Sequence, residues 1–365
     1  MGLKLPSAWS ALYSKYERWV PITFFILGFL FDCVMLTRID EPAVIIQQAV
    51  YLIISGLLIG VDLVAESRPL EPPRLLKWIW RYREALLHFL LGTLLNSYAI
   101  FYFKSASAFT SFFFIALLVV LLTLNEFKHF GKSQTRVHVA FLGLCVISYF
   151  VCLAPTLMGF IGTLPFLVAV TASLAVSYFY FIMMRRNLGN ESKLLKTHVL
   201  YPFAATQLIF MALYFAHAIP PVPLSVKYMG IYHEAEKEGG EYRLTFLRPG
   251  WKFWQHGDQT FLARPGDTIY CYSQIFSPAR FQDRLQVRWL YDDEKRGWTS
   301  SDAIPLAVSG GREEGYRAVT KKGNFQPGNW RVQIETMDNL EVGRINFEVI
   351  ADVSTDGREY HHELR

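Results

Sequence analysis

Cysteine is scarce in this chain: there are four in 365 residues, of which Cys33, Cys145 and Cys152 lie in apolar stretches and Cys271 stands alone downstream. That excludes a disulfide framework, so the C-terminal part must fold without a bridge of its own. Cys145 and Cys152 are seven apart on one helical run, hence on one face, and with no acidic or histidine neighbours they are expected to be small packing residues. Catalytic signatures are missing as well. There is no GxSxG, no HExxH, no Walker A loop and no GxGxxG between a strand and a helix, so none of the common chemistries and no cofactor is indicated. Lysine is absent from Val199 to Ile219, which removes a retinal Schiff base from any seven-helix reading.

Charge is sparse, at 18% of residues, and the net charge of +5 comes from residues 1–219, while residues 220–365 carry slightly more acid than base. A nucleic-acid binder gathers Lys and Arg on a soluble face, so that partner class is excluded.

What the chain has in abundance is apolar residues, 52% of the total. Runs long enough to cross a hydrocarbon core occur at Trp19 to Leu36, Ala43 to Ala65, Ala85 to Phe103, Ala108 to Leu124, Val137 to Ala154, Phe160 to Met184 and Val199 to Ile219. They predict a membrane all-α bundle of about seven transmembrane helices, with the lipid bilayer as its first partner. The first run follows Lys4, Lys15 and Arg18 as a signal sequence would, but Thr37 to Pro42 lacks the small-residue cleavage pattern, so it reads as a retained anchor. Alternate connections differ sharply in Lys and Arg. One set, comprising the N-terminus and the loops around Arg68 to Arg83, Lys128 to Arg136 and Arg185 to Lys196, holds fifteen; the other holds Arg38 and Lys104. Cationic loops resist translocation, so the expected topology is an N-terminus in the cytoplasm, multi-pass insertion in a bacterial inner membrane, and a periplasmic C-terminal domain.

Pro220, Pro221 and Pro223 cannot continue the last helix and make residues 220–225 a stiff spacer between a domain over 1–219 and one over 226–365. Beyond the spacer the hydrophobic period becomes two. Leu285, Val287 and Trp289 alternate with Arg284, Gln286 and Arg288; Trp330, Val332 and Ile334 with Arg331, Gln333 and Glu335; Ile345, Phe347 and Val349 with Arg344, Asn346 and Glu348. With turn signals at Pro249-Gly250, Pro265-Gly266 and Pro327-Gly328, these half-buried strands predict an all-β immunoglobulin-like antiparallel sandwich of about seven strands.

The segments Asp267 to Ile275, Val287 to Tyr291, Trp298 to Ser301, Gly328 to Val332 and Gly343 to Phe347 resemble a bacterial family, the domain of unknown function numbered 2914. The resemblance implies a compact β-sandwich behind membrane helices and covers the last third of the chain. It offers no catalytic residue to carry over.

Ionisable residues inside apolar spans call for a functional hypothesis. Asp32 and Lys104, each at the outer end of its span, are expected to pair across helices, with binding or proton movement as the other reading. At the inner boundary Asp62 and Glu66 are four apart, Glu84 and His88 four apart, Glu126 and His129 three apart leaving the fourth run, and His138 starts the fifth. These spacings put carboxylate and imidazole on shared helix faces, where they could bind a metal or relay protons; helix-end capping and snorkelling is the plainer reading. In the β region, Arg284 and Arg288 on one strand face offer guanidinium forks to a phosphate or carboxylate, or else pair with acids on the next strand. Trp251, Phe253 and Trp254 are expected in the sandwich core, with Trp254 alone outward; exposed, they would suit membrane-interface anchoring or sugar stacking. The function these readings imply is a non-enzymatic envelope protein whose sandwich binds a protein, glycan or anionic lipid headgroup. The alternative is a membrane-embedded enzyme or transport component acting on a lipid-linked substrate. Convergence of Asp62, Glu66, His88 and His138 on one cavity would favour the alternative.

Overall fold

The computed structural model describes residues 39–67, 77–105, 120, 134–189, 192–278, 281–309, 315–354 and 356–365. Its first half is helical: α1 Pro42–Ser67, α2 Lys77–Ser105, α3 Gln134–Met158 and α4 Thr163–Leu188. The fifth rod, α5, joins Ser192–Leu195, a π turn at Lys196–Leu200 and Tyr201–Phe215. Among the described residues five helices are thus long and apolar enough to cross a membrane. The other two expected spans, Trp19 to Leu36 and, but for Val120, Ala108 to Leu124, lie outside the described residues, as do Asp32 and Cys33.

Helix packing uses small residues and satisfied polar groups, as apolar surroundings demand. A Cβ on Gly143 of α3 would sit 2.6 Å from Thr206 Oγ1 on α5, so the two backbones approach closely there. Tyr180 donates to the Gly56 carbonyl at 3.0 Å, and Gln207 donates to Ser173 Oγ at 2.5 Å. Cys145 and Cys152 are buried in this core and unbridged, as packing residues should be.

Among the described residues the second half has eleven strands, where about seven were expected: β1 Ser225–Tyr232, β2 Glu234–Glu238, β3 Glu241–Phe246, β4 Thr260–Ala263, β5 Ile269–Phe276, β6 Gln282–Asp293, β7 Gly297–Ser309, β8 Tyr316–Lys322, β9 Gly328–Thr336, β10 Glu341–Ala351 and β11 His361–Leu364. They form three sheets, ordered β1-β5-β8, β4-β10-β9-β6-β7 and β11-β3-β2. Pairing is antiparallel except between β4 and β10, which run parallel. The first two sheets enclose the main core, with Ile231, Cys271, Ile275, Leu285, Val287, Trp289, Trp330, Val332, Ile334, Ile345 and Phe347 inward. The other face of β1 and β5 carries Tyr228, Tyr232 and Tyr272, which pack with Leu244 and Phe246 beneath the third sheet. The β1-β5-β8 sheet is therefore a middle layer, apolar on both faces, which is why Cys271, Tyr272 and Ser273 are consecutively buried.

The two halves touch at one end of each. Gln282 N–H donates to the Gly159 carbonyl at 2.8 Å, Ile161 N–H to Asp283 Oδ2 at 3.0 Å, and Thr163 N–H to Asp338 Oδ2 at 3.3 Å. Gly162 has φ +140, and a Cβ there would meet the Asp338 carboxylate at 2.9 Å, so only glycine fits under that contact. On the other sheet Phe276, at the end of β5, joins Ile219 and Val222 in the helical core. Since both sheets of the sandwich meet the helices through the same ends of their strands, the sandwich stands on end.

Candidate functional site

The loop after β3 is where the structure departs most from the sequence expectation. Trp251, Phe253 and Trp254 are not in the core; they are 65%, 80% and 57% exposed. Trp254 lies edge-on to both neighbours, with ring centroids 5.6 Å from Trp251 and 5.3 Å from Phe253. The physical reason is local. Pro249 and Gly250 turn the chain, Lys252 N–H closes onto the Pro249 carbonyl at 3.0 Å, and the Arg248 guanidinium donates to the carbonyls of Lys252 and Gln255, both at 2.5 Å. A loop wound this tightly around a cation points its side chains out, and the period-two pattern that would bury Trp251 and Phe253 never forms.

The loop's root is rigid. Asp258 accepts the Leu247 N–H at 2.9 Å and donates its own N–H to the Ile231 carbonyl at 2.7 Å. Gly257 has φ +65, and a Cβ there would lie 1.9 Å from the Ile231 oxygen, a position open to glycine alone. Beside the root, His233 is stacked on Phe261 at 4.0 Å, with its Nε2 3.6 Å from the Asp258 carboxylate. Burial raises the Asp258 carboxyl to about 6 and lowers His233 to about 4. At neutral pH this is a carboxylate beside a neutral ring rather than an ion pair. Ile231 is six residues along β1 from Ser225, about 20 Å from where the chain leaves the helices. The aromatic loop therefore faces away from the bundle.

Arg284 and Arg288 share a strand face, but four strand residues separate them by about 13 Å, too far for one phosphate. Arg288 is committed: its Nε donates to Glu335 Oε1 at 2.7 Å, and Gln286 and Gln333 reach the same buried carboxylate at 3.1 Å. Arg284 is exposed at the bundle-proximal end of β6.

At the far end of the helices, a cavity of about 330 Å³ is lined by Asp62, Ala65, Glu66, Arg83, Glu84, Thr135 and His138. Arg83 Nε donates to Asp62 Oδ1 at 2.8 Å, and Thr135 donates to Glu66. His88 is one ring away, edge-on to His138 at 5.1 Å. Arg136 Nε donates to His198 Nε2 at 3.1 Å, and His198, on the π turn, sits 3.9 Å from Glu66. The helical spacing pointed to Asp62, Glu66, Glu84, His88 and His138, and to Glu126 and His129, which lie outside the described residues. It missed Thr135 and His198, and counted Arg83 only as a loop cation. Among the described residues no three His, Cys, Asp or Glu side chains converge as a metal site would require. Lys104 is half-buried at the end of α2, and its expected partner Asp32 lies outside the described residues.

Fold and sites together define a class: a helical bundle of membrane-spanning length carrying an end-on β-sandwich with an aromatic loop. Within that class, residues 282–349, from β6 into β10, match the family described as a protein of unknown function, DUF2914. Four of the five resembling segments fall inside the match; Asp267 to Ile275, on β5, lies upstream of it. No curated protein matches the chain. Among solved structures, an immunoglobulin-like protein from Pseudomonas aeruginosa is 11% identical, covers 35% of this chain and 98% of its own, with a TM-score of 0.22. A β-glucosidase from Listeria innocua is 12% identical over 33% of this chain and 17% of its own, with a TM-score of 0.20. An alkylpurine DNA glycosylase from Pseudomonas fluorescens is 9% identical over 86% of this chain and 99% of its own, with a TM-score of 0.19. Scores this low add nothing to the topology read directly from the strands.

Proposed function

We propose that this is a multi-pass envelope protein, N-terminus in the cytoplasm, whose extracytoplasmic sandwich binds a glycan or protein partner through Trp251, Phe253 and Trp254. One observation carries the reading: three large aromatic rings, held outward by the Arg248 clamp, at the end of the sandwich away from the helices. A patch so placed does not anchor the domain to the membrane that holds the bundle. Exposed indoles suit stacking on sugar rings or insertion into a partner's pocket.

The full-length protein in nanodiscs, titrated with envelope oligosaccharides and isolated envelope proteins under tryptophan-fluorescence readout, should give one saturable response. Trp251→Ala/Trp254→Ala should weaken it ten-fold or more at unchanged circular dichroism. An equal response from parent and variant refutes the reading. The topology rests on the unequal Lys and Arg content of alternate loops. A reporter active only in the periplasm, fused after Arg365, should be active; activity of a cytoplasmic reporter there instead would invert the orientation.

A second reading, a membrane-embedded enzyme or transport component, is favoured by the convergence of Asp62, Glu66 and His138 on one cavity with His88 beside it.

A further inference from the structure

We infer that the groove between α4 and α5, within the span of the bundle, is a binding site for a neutral long-chain alcohol. The site is separate from the aromatic loop, and its test does not depend on what that loop binds. Leu174, Ser177 and Phe181 of α4 and Leu200, Phe203 and Gln207 of α5 line a volume of about 270 Å³ from its two sides. Two features of α5 open it. Ala204 falls between Leu200 and Leu208 in the i, i+4 line, where a third leucine would close the gap. The π turn at Lys196–Leu200 breaks the regular α ladder at one end of the groove, a distortion that recurs at functional sites. The rim is open, with Leu174, Tyr178 and Leu200 exposed.

Beneath that apolar rim two polar groups are unmet. Gln207 is 3% and Ser177 8% exposed, both line the groove, and the Gln207 carbonyl oxygen and the Ser177 hydroxyl have no hydrogen-bond partner among the described residues. The Gln207 amide nitrogen is engaged, on Ser173 Oγ at 2.5 Å. Buried polar atoms left unpaired carry their full desolvation cost, so a ligand group that reaches them is favoured. A hydroxyl both donates and accepts, and so suits the amide and the serine alike. Depth and volume define the rest of the ligand. Ser177 is about 21 Å along α4 from Thr163 and about 16 Å from Leu188, near the middle of a hydrocarbon core about 30 Å thick. A charged headgroup is costly at that depth, and the acyl tails of phospholipids bring no polar atom to it. A volume at the small end of ligand sites admits one chain rather than two.

The test is photolabelling of the full-length protein in phosphatidylcholine nanodiscs, with dodecanol carrying a diazirine on its chain and with the matching diazirine dodecane. The alcohol probe should label residues 174–181 and 199–207 saturably, and plain dodecanol should compete with it. Gln207→Leu, which keeps an apolar side chain in the groove and removes the amide, should cut that labelling about ten-fold or more. Ala204→Leu, which fills the groove with a good helix former, should abolish it. If Gln207→Leu fails to fold, Ala204→Leu and the alkane comparison decide. Absence of saturable labelling of the two segments by the alcohol probe overturns the proposal, as does labelling that survives Gln207→Leu or Ala204→Leu unchanged. Equal saturable labelling by the alkane would keep the groove as a site and overturn the ligand class.

Discussion

Glu335 shows how a residue that looks like surface charge in the sequence can be structural. Its alternation with Ile334 predicts an outward side chain, and it is outward, yet it is almost wholly buried because Arg288, Gln286 and Gln333 close over it from β6 and β9. Removing the cation strands the carboxylate in a site with two amide donors and no charge. Arg288→Gln should therefore destabilise the sandwich by about 2 kcal/mol, and Arg288→Gln/Glu335→Gln should recover most of that loss. Arg284→Gln, on an exposed side chain, should stay within about 0.5 kcal/mol of the parent. Denaturant midpoints followed by tryptophan fluorescence separate the three, and an equal loss in the first two variants would show that Glu335 does not need its cation.

At the scale of elements, the root of the aromatic loop carries a pH dependence that two residues set against each other. Asp258 binds its proton more tightly in the folded state, so its stabilising contribution is present below about pH 4 and lost as the pH rises towards 6. His233 binds its proton more weakly when folded, so its contribution is present above about pH 6.5 and lost as the pH falls to about 4. Between pH 4 and 6 the two slopes oppose. His233→Asn leaves Asp258 alone, and its stability should fall from pH 4 to 6 by something on the order of 2 kcal/mol, where the parent changes little. A flat profile in the variant would mean that Asp258 titrates normally.

Elements also show what the sequence could disclose. The runs over α1 to α5 were plain from length and apolarity, and β6, β9 and β10 from their alternation, because each of those strands has one wet face. β1 and β5 were not, since a middle-layer strand is apolar on both faces and loses its period. β2, β3 and β11 are short and charged, and only their pairing with each other marks them as strands. The cavity was half legible: helical spacing finds Asp62 with Glu66 and Glu84 with His88, but Thr135 and His198 are brought in by packing between helices far apart in sequence. The aromatic loop was misplaced because the Arg248 clamp, a contact to backbone carbonyls, leaves no mark on residue periodicity.

At the scale of the whole molecule, the end-on stance depends on a small contact. Asp283 and Asp338 accept the backbone N–H groups of Ile161 and Thr163, at the start of α4, where the helix dipole also favours a carboxylate. Each bond contributes about 1 kcal/mol. Asp283→Ala/Asp338→Ala should speed hydrogen exchange at the Ile161 and Thr163 amides ten-fold or more while leaving the sandwich's own amides as slow as before. Unchanged protection would place the docking energy in Ile161, Val222 and Phe276 instead.

The spacing between the helices and the aromatic loop has an electrical consequence. About 20 Å of β1 separates Ile231 from the exit of the chain, and the Debye length at physiological ionic strength is about 8 Å. A ligand held by Trp251 and Trp254 is screened from the charges of the bundle and its loops, while the cavity end lies farther off still. Any salt dependence of binding at the loop should therefore come from its own cations, Arg248 and Lys252, and not from the bundle.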